Sequence, residues 1–302
     1  MEMEWPLILF TFFVCLASGI LLAQGVLTVL GKGKQMQLAS LVSSLVALAV
    51  GGISVFFHLQ HWERIFNGFG HITSGITLEF IGCVVFFVVL VAYFLMMRRA
   101  EDGMAPKWCG VLAIVMGVAM PAITGDSYLM EAIPVWDTFL LPVYYVLNAV
   151  FFGGLAALVI AAVTKCDDAN DMTLWLAIGG GIATAVIVVA YAVFINSLGG
   201  VYSDITYYFD PTLPDSSMID VQDDFVGTVL AGSNAPLFWI GAIIVGIAVP
   251  VALAFVARKF LADGKQQQIL PLAGAGLVCA LAGGICWRMI LYLVAVSIFA
   301  LY

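Results

Sequence analysis

The stretch at residues 5–30, WPLILFTFFVCLASGILLAQGVLTVL, contains no charged side chain, and it decides the fold class. A helix needs about 20 consecutive apolar residues to cross a bilayer, so this stretch is long enough to span one. It is also longer than the apolar core of a cleaved signal peptide, and residues 1–4 before it include no basic side chain. We therefore expect it to be the first transmembrane helix.

Seven further stretches resemble this one in length and composition. Backbone amides inside lipid must be satisfied within one segment, and the alternating pattern of a β-barrel strand is absent, so we expect each stretch to form a helix. The expected spans are Trp5–Leu30, Met36–Phe57, Ser74–Met97, Lys107–Ile123, Thr138–Val163, Thr173–Leu198, Pro236–Ala257 and Ile269–Leu301. The sequence therefore predicts an all-α membrane protein in which residues 1–302 form a single integral-membrane domain, a bundle of eight transmembrane helices.

The composition excludes several classes of protein. Of the 302 residues, 63% are hydrophobic and 10% are charged, and the mean hydropathy is +1.11. A soluble domain is about 45–50% apolar and about 25% charged, which argues against a soluble enzyme. The net charge of −8 argues against a nucleic-acid partner, which would need a basic surface. The six cysteines form no C-x-x-C pair, so we expect buried apolar residues rather than metal ligands.

Basic residues are concentrated on one side of the predicted bundle. Nine of the eleven follow spans one, three, five and seven: Lys32, Lys34, Arg98, Arg99, Lys107, Lys165, Arg258, Lys259 and Lys265. Basic loops stay in the cytoplasm, so we expect both termini on the extracytoplasmic side of the inner (cytoplasmic) membrane. The outer face is then acidic, and its longest connection, residues 199–235, mixes acids with tyrosines and prolines. We expect a partner protein to cover this outer loop.

Two ionisable groups near the outer face are suited to proton exchange. All three histidines lie between spans two and three, and His58 is the nearest to the bilayer. The pKa of an imidazole suits proton transfer near neutrality. Glu79 lies inside span three, where an ionisable residue is a functional-site candidate by default. We expect His58 and Glu79 to accept the protons of a quinol; the plainer interpretations are a helix-capping histidine and a neutral structural carboxyl.

Arg288 is the other charge inside a span, in the outer half of span eight. A buried arginine needs a partner, and Glu79 is the expected intramembrane candidate. Tyr292, one turn further, could reach a quinone carbonyl or belong to an interfacial aromatic belt. The hypothesis is a quinol bound between spans two, three and eight. A competing interpretation makes His58 and His71 the ligands of one haem, but we expect no haem.

Several segments, in this order along the chain, resemble the DmsC-type membrane anchor of dimethyl sulfoxide reductase. The most informative is His58-Leu59 followed by Arg64-Ile65-Phe66-Asn67 and then by Ser74 through Glu79. The others are Glu4 through Thr11, Trp136 through Pro142, Phe152-Gly153-Gly154, and Leu281-Ala282-Gly283 with Arg288 and Tyr292.

The resemblance implies a haem-free anchor subunit that oxidises menaquinol in anaerobic respiration and does not itself act on the terminal acceptor. It implies two partners on the outer face, an iron–sulfur (ferredoxin-like) subunit that receives the electrons and a molybdopterin catalytic subunit. The iron–sulfur clusters and the molybdopterin belong to those partners. The resemblance also links His58 and Glu79 to the quinol, and we assign Arg64, Arg288 and Tyr292 to the same quinol-binding set.

Two departures from the family pattern affect the expected site. Gly284 stands where members often carry Glu, and residues 234–239, NAPLFW, lack an arginine that some members have.

Two other functions stay open. One is a secondary transporter that uses Glu79 and Arg288 as a coupling pair, although no inverted repeat is evident. The other is a structural anchor without a quinol site of its own.

Overall fold

A computed structural model describes residues 3–58, 70–71, 73–199 and 227–297. This part of the chain contains eight helices that are long and apolar enough to cross a membrane, and no strand. They are α1 (Trp5–Val29), α2 (Gln37–Phe56), α3 (Gly75–Arg99), α4 (Lys107–Asp126), α5 (Leu140–Thr164), α6 (Asn170–Asn196), α7 (Leu237–Ala262) and α8 (Ile269–Leu293). The predicted all-α fold with eight spans is confirmed.

The last helix is shorter than the sequence predicts. The apolar pattern extends to Leu301, but α8 ends at Leu293, and residues 294–297 are not helical. The 25 residues of α8 extend ~37 Å at the 1.5 Å rise of an α-helix, which already exceeds the ~30 Å of a hydrocarbon core. The apolar residues after Leu293 are therefore not needed to cross the membrane.

Helix α1 lies at the centre of the bundle. It packs against α2, α4 and α5, and it is the most buried of the eight helices. Helix α5 continues the core towards α6 and α8, while α7 packs against both α6 and α8. Helix α3 lies at the periphery against α4, and it is the least buried helix. Helices α4 and α5 therefore separate α3 from α8.

Glycines set the closest approaches between helices. A Cβ atom on Gly153 of α5 would lie 2.1 Å from the carbonyl oxygen of Gly19 on α1. A Cβ atom on Gly283 of α8 would lie 2.0 Å from the Cα atom of Gly246 on α7. Without a hydrophobic driving force between helices in lipid, such backbone contact supplies the packing energy.

The two ends of the bundle differ in charge. The end where α1, α3, α5 and α7 finish carries the nine basic residues named above and is called the basic end; the other is the acidic end. Each end carries two half-exposed tryptophans: Trp5 and Trp239 at the acidic end, and Trp108 and Trp175 at the basic end. Tryptophan prefers the two membrane–water interfaces, so the positions of these four side chains agree with a bundle that spans a membrane.

A buried amide ties the loops of the basic end together. Gln37 donates from Nε2 to the carbonyl oxygen of Gly103 at 3.1 Å and accepts at Oε1 from the backbone N–H of Ala105 at 3.0 Å. In the same region the N–H of Gly33 donates to Asp168 at 3.0 Å. These bonds join the α1–α2 connection to the α3–α4 and α5–α6 connections.

Helix α7 begins with an irregular segment. Residues Leu237–Ala248 form a π-helix, and residues Val249–Ala262 continue as an α-helix. The change of geometry falls beside Pro250, which has no N–H to donate. Wide π turns often accompany functional sites. Here the segment forms one wall of a cavity inside the bundle.

Candidate functional site

Glu79 lies in the second turn of α3, at the acidic end. It is half-buried, and its Oε1 accepts a hydrogen bond from the hydroxyl of Ser127 at 2.7 Å. The same hydroxyl lies 2.8 Å from the carbonyl oxygen of Thr124. Because a hydroxyl has one proton, Ser127 can donate to an ionised Glu79, or donate to Thr124 and accept from a protonated Glu79. The contact therefore suits both protonation states of the carboxyl.

An aromatic cluster connects this region to the end of α8. The rings of Tyr128, Trp136 and Tyr292 lie edge to face, with centroids 5.2 to 6.2 Å apart. Trp136 donates from Nε1 to the carbonyl oxygen of Leu291 at 3.1 Å. Burial raises the pKa of Tyr128 well above its ordinary value, and the Glu79 carboxylate raises it further. Tyr128 is thus a neutral hydroxyl near Glu79, adjacent in the chain to Ser127.

Arg288 is completely buried in α8, one turn before Tyr292. Both Nη atoms donate to Oδ1 of Asn148 at 3.1 Å, and Nη1 donates to the hydroxyl of Tyr144 at 3.0 Å. Nε donates to the hydroxyl of Thr11 at 3.3 Å. The remaining bonds go to the carbonyl oxygens of Thr11 and Gly284. Arg288 therefore joins α1, α5 and α8 through neutral acceptors.

The expected pairing of Arg288 with Glu79 is absent. Among the described residues, no Asp or Glu lies within salt-bridge distance of Arg288. Instead the rings of Phe12, Tyr144 and Tyr145 surround the guanidinium at 5.3 to 5.5 Å. The reason is the packing order, since α8 lies on α5 whereas α3 lies on α4. Within the described residues, α3 and α8 do not pack against each other, although a quinol pocket between α2, α3 and α8 would need that contact.

His58 follows α2 at the acidic end and forms a separate pair. Its Nδ1 lies 3.1 Å from Oε2 of Glu4, and the two side chains are 40% and 51% exposed. This contact joins the end of α2 to the start of α1 at the surface. His71 is exposed. The third histidine, His61, lies outside the described residues, as do Arg64 and most of the 199–235 loop for which expectations were stated.

The structure shows contacts of Arg288 and Glu79 that the sequence did not predict. Tyr144 and Asn148 are four residues apart, so they share one face of α5, and two polar groups on an otherwise apolar face could have signalled a buried partner. Ser127 carried no comparable signal, because its contact depends on how α3 packs against α4. Among the described residues, no three His, Cys, Asp or Glu side chains are placed to hold a metal ion.

Gly284 has a direct structural consequence. A Cβ atom at this position would lie 2.4 Å from Cζ of Phe152. The ring of Phe152 therefore occupies the space that a larger side chain would need. The carbonyl oxygen of Gly284 accepts a hydrogen bond from Arg288.

These features define a polytopic membrane protein with ionisable and aromatic groups gathered at one end of an eight-helix bundle. The family model of the DMSO reductase anchor subunit (DmsC) matches residues 1–206. The chain belongs to this family and is a membrane anchor of a DMSO reductase complex. The match covers α1 to α6 and includes His58, Arg64 and Glu79, while Arg288 and Tyr292 lie beyond it. No curated protein matches the chain.

Proposed function

We propose that the chain oxidises menaquinol at the acidic end of the bundle and passes the electrons to an iron–sulfur subunit docked there. A molybdopterin subunit would then receive the electrons and reduce the terminal acceptor. The observation that carries the proposal is Glu79, a carboxyl inside a membrane helix whose contact with Ser127 accommodates both of its protonation states.

The position of α3 allows a lipid-soluble substrate to reach Glu79. Helix α3 is the least buried of the eight, and Ile76, one turn before Glu79, is 62% exposed. A quinol could therefore approach from the lipid without opening the bundle. Glu79 itself is only partly buried.

Oxidation of a quinol releases two protons and two electrons. In this proposal Glu79 accepts one proton, and Ser127 positions the carboxyl before and after the transfer. His58 accepts the other proton, with Glu4 orienting its ring through Nδ1. Among the described residues, the one hydrogen-bond contact found for His58 is that of Nδ1 with Glu4. The redox chemistry belongs to the quinol and the partner's clusters, while the chain binds and deprotonates.

The contacts of Arg288 and Tyr292 suggest indirect roles in quinol oxidation. Arg288 joins three helices through its hydrogen bonds, which suits a positioning residue. Tyr292 packs against Tyr128, the residue after Ser127. We therefore propose that Tyr292 holds the connection that carries Ser127.

The acidic end also presents a surface for the partner. The connection between α4 and α5 exposes Glu131 and Asp137 together with Phe139, which is 70% exposed. Phe57 at the end of α2 is 81% exposed. Exposed aromatics beside acids are typical of a surface that another protein covers.

The test compares quinol-driven and viologen-driven turnover of the purified complex, because a viologen dye reduces the iron–sulfur clusters without the anchor. Replacing Glu79→Gln should lower turnover with a menaquinol analogue by about 100-fold, the usual effect of losing a general base. His58→Ala should lower the same rate. Viologen-driven turnover and copurification of the partners should stay unchanged.

Glu101→Gln is the matched control, because Glu101 is an exposed carboxyl at the basic end. It should leave both rates unaltered. Full quinol-driven turnover in the Glu79→Gln complex would contradict the proposal and favour an anchor without its own quinol site. The transporter alternative lacks structural support, because its coupling pair, Glu79 and Arg288, does not form.

A further inference from the structure

A small cavity lies inside the bundle, separate from Glu79. Helices α5, α6, α7 and α8 enclose it, and the π-helical segment of α7 forms one wall. It has room for about one water-sized particle. Its polar lining comes from four side chains, Tyr144, Asn148, Thr184 and Trp287, and the rest of the lining is apolar.

Two polar groups that line the cavity lack hydrogen-bond partners. Oγ1 of Thr184 and Nε1 of Trp287 are buried and have no partner among the described residues. These side chains are 2% and 1% exposed, so bulk water does not reach them. Asn148 and Tyr144 use their oxygens to accept from Arg288. The amide N–H groups of Asn148 and the hydroxyl proton of Tyr144 are not used in these bonds and can donate to a molecule in the cavity.

The positive charge of Arg288 lies next to the cavity, because Arg288 donates to Tyr144 and Asn148 of its lining. Arg288 is completely buried, and its hydrogen bonds all go to neutral oxygens. No carboxylate among the described residues neutralises it. Burying an uncompensated charge is costly, and the surrounding aromatic faces offset only part of that cost.

We propose that this cavity binds a small monovalent anion, chloride in the cell. Three observations favour such an occupant: Thr184 and Trp287 lack hydrogen-bond partners, the guanidinium of Arg288 is bonded to two residues of the lining, and the space limits the occupant to a single small ion. A water molecule could satisfy the Thr184 hydroxyl and the Trp287 indole N–H, but it would leave the charge of Arg288 uncompensated, whereas an anion also supplies the counter-charge. The bound anion neutralises Arg288 and holds α5, α6, α7 and α8 around it.

The first test measures the thermal unfolding midpoint of the purified complex at constant ionic strength while gluconate is exchanged for chloride. We expect a saturable rise with chloride and with bromide, because a ligand that binds only the folded state stabilises it. Gluconate is too large for the cavity and should give no rise.

Variants of the lining should change this response in defined ways. Thr184→Val removes one donor with little change of shape, and Trp287→Phe removes the other donor and enlarges the cavity; each should weaken the apparent halide affinity about tenfold or more. Asn148→Asp places a carboxylate beside Arg288 and should abolish the halide response. Thr124→Val is the matched control, because Oγ1 of Thr124 is also buried without a partner but does not line the cavity.

The second test locates the ion in crystals grown in bromide. An anomalous peak in the cavity, lost in the Thr184→Val, Trp287→Phe double variant, would support the proposal. Water alone in the cavity would overturn it. So would a halide response that the double variant leaves unchanged.

Discussion

The buried arginine shows how neutral groups can hold a charge inside a membrane. Arg288 uses an amide, two hydroxyls and two carbonyls where a carboxylate was expected. Hydrogen bonds to a charged group are worth about 1.5–3 kcal/mol each, so several of them together can rival one ion pair. The sequence identified the charge, but all of its acceptors except the Gly284 carbonyl come from α1 and α5, far away in the chain.

Cys166, another buried residue, should carry an unreactive thiol. It lies between α5 and α6 at the basic end, and its Sγ donates to Oδ1 of Asp168 at 3.0 Å. Burial raises the pKa of Cys166 to about 11, and the Asp168 carboxylate contributes to the increase. The thiolate is the reactive form, so reaction with a maleimide should be slow at pH 8 and should accelerate until about pH 11.

A variant that keeps only Cys166 allows this rate to be measured between pH 7 and pH 11. Adding Asp168→Asn removes the neighbouring negative charge and should move the acceleration to lower pH. A rate that levels off near pH 9 in the single-cysteine protein would contradict the expected shift.

At the scale of elements, the crossing of α1 and α5 depends on glycine. Gly153→Ala would place a methyl group 2.1 Å from the carbonyl oxygen of Gly19, so the helices must separate. We expect a loss of about 1–3 kcal/mol in the free energy of unfolding, as for other overpacked interiors. The measurement is the thermal or denaturant unfolding of the purified protein in detergent.

Gly179 provides the control within the neighbouring helix. A Cβ atom there meets nothing within 4 Å, so Gly179→Ala fills open space on α6. Because alanine favours a helix over glycine by about 1 kcal/mol, this variant should be neutral or slightly stabilising. Equal losses in both variants would show that helix approach is not the cause.

The arrangement of the whole molecule places the basic and acidic ends on opposite faces of the membrane. By the positive-inside rule the basic end faces the cytoplasm, and this orientation remains a prediction. In a cysteine-free background, an impermeant maleimide should label Asp137→Cys in intact cells that lack the partner subunits. Lys34→Cys should react only after the cells are permeabilised, because Lys34 lies at the basic end.

The labelling also bears on the partner subunits. Asp137 is exposed at the acidic end in the isolated chain, so a partner docked there should protect Asp137→Cys. Cells that lack the partners provide the control and should show stronger labelling. Labelling of Lys34→Cys in intact cells, with none of Asp137→Cys, would reverse the orientation.

Sequence alone determined the eight spans, the charge difference between the two ends, and the ionisable groups inside the membrane. These properties depend on the transfer of each residue from water to lipid, which can be summed along the chain. They do not depend on which helices are neighbours. For that reason the positions of Glu79 and Arg288 followed from the sequence, and the absence of a bond between them did not.

Only the tertiary structure decided which groups meet. Ser127 reaches Glu79 because α3 packs on α4, and Asn148 reaches Arg288 because α8 packs on α5. All eight helices are apolar enough to cross a membrane, so hydropathy does not distinguish one neighbour from another. The order of packing is set instead by close backbone contacts such as Gly19 with Gly153 and by the hydrogen bonds of buried polar groups. Those are properties of matched surfaces, which appear only when the helices are assembled.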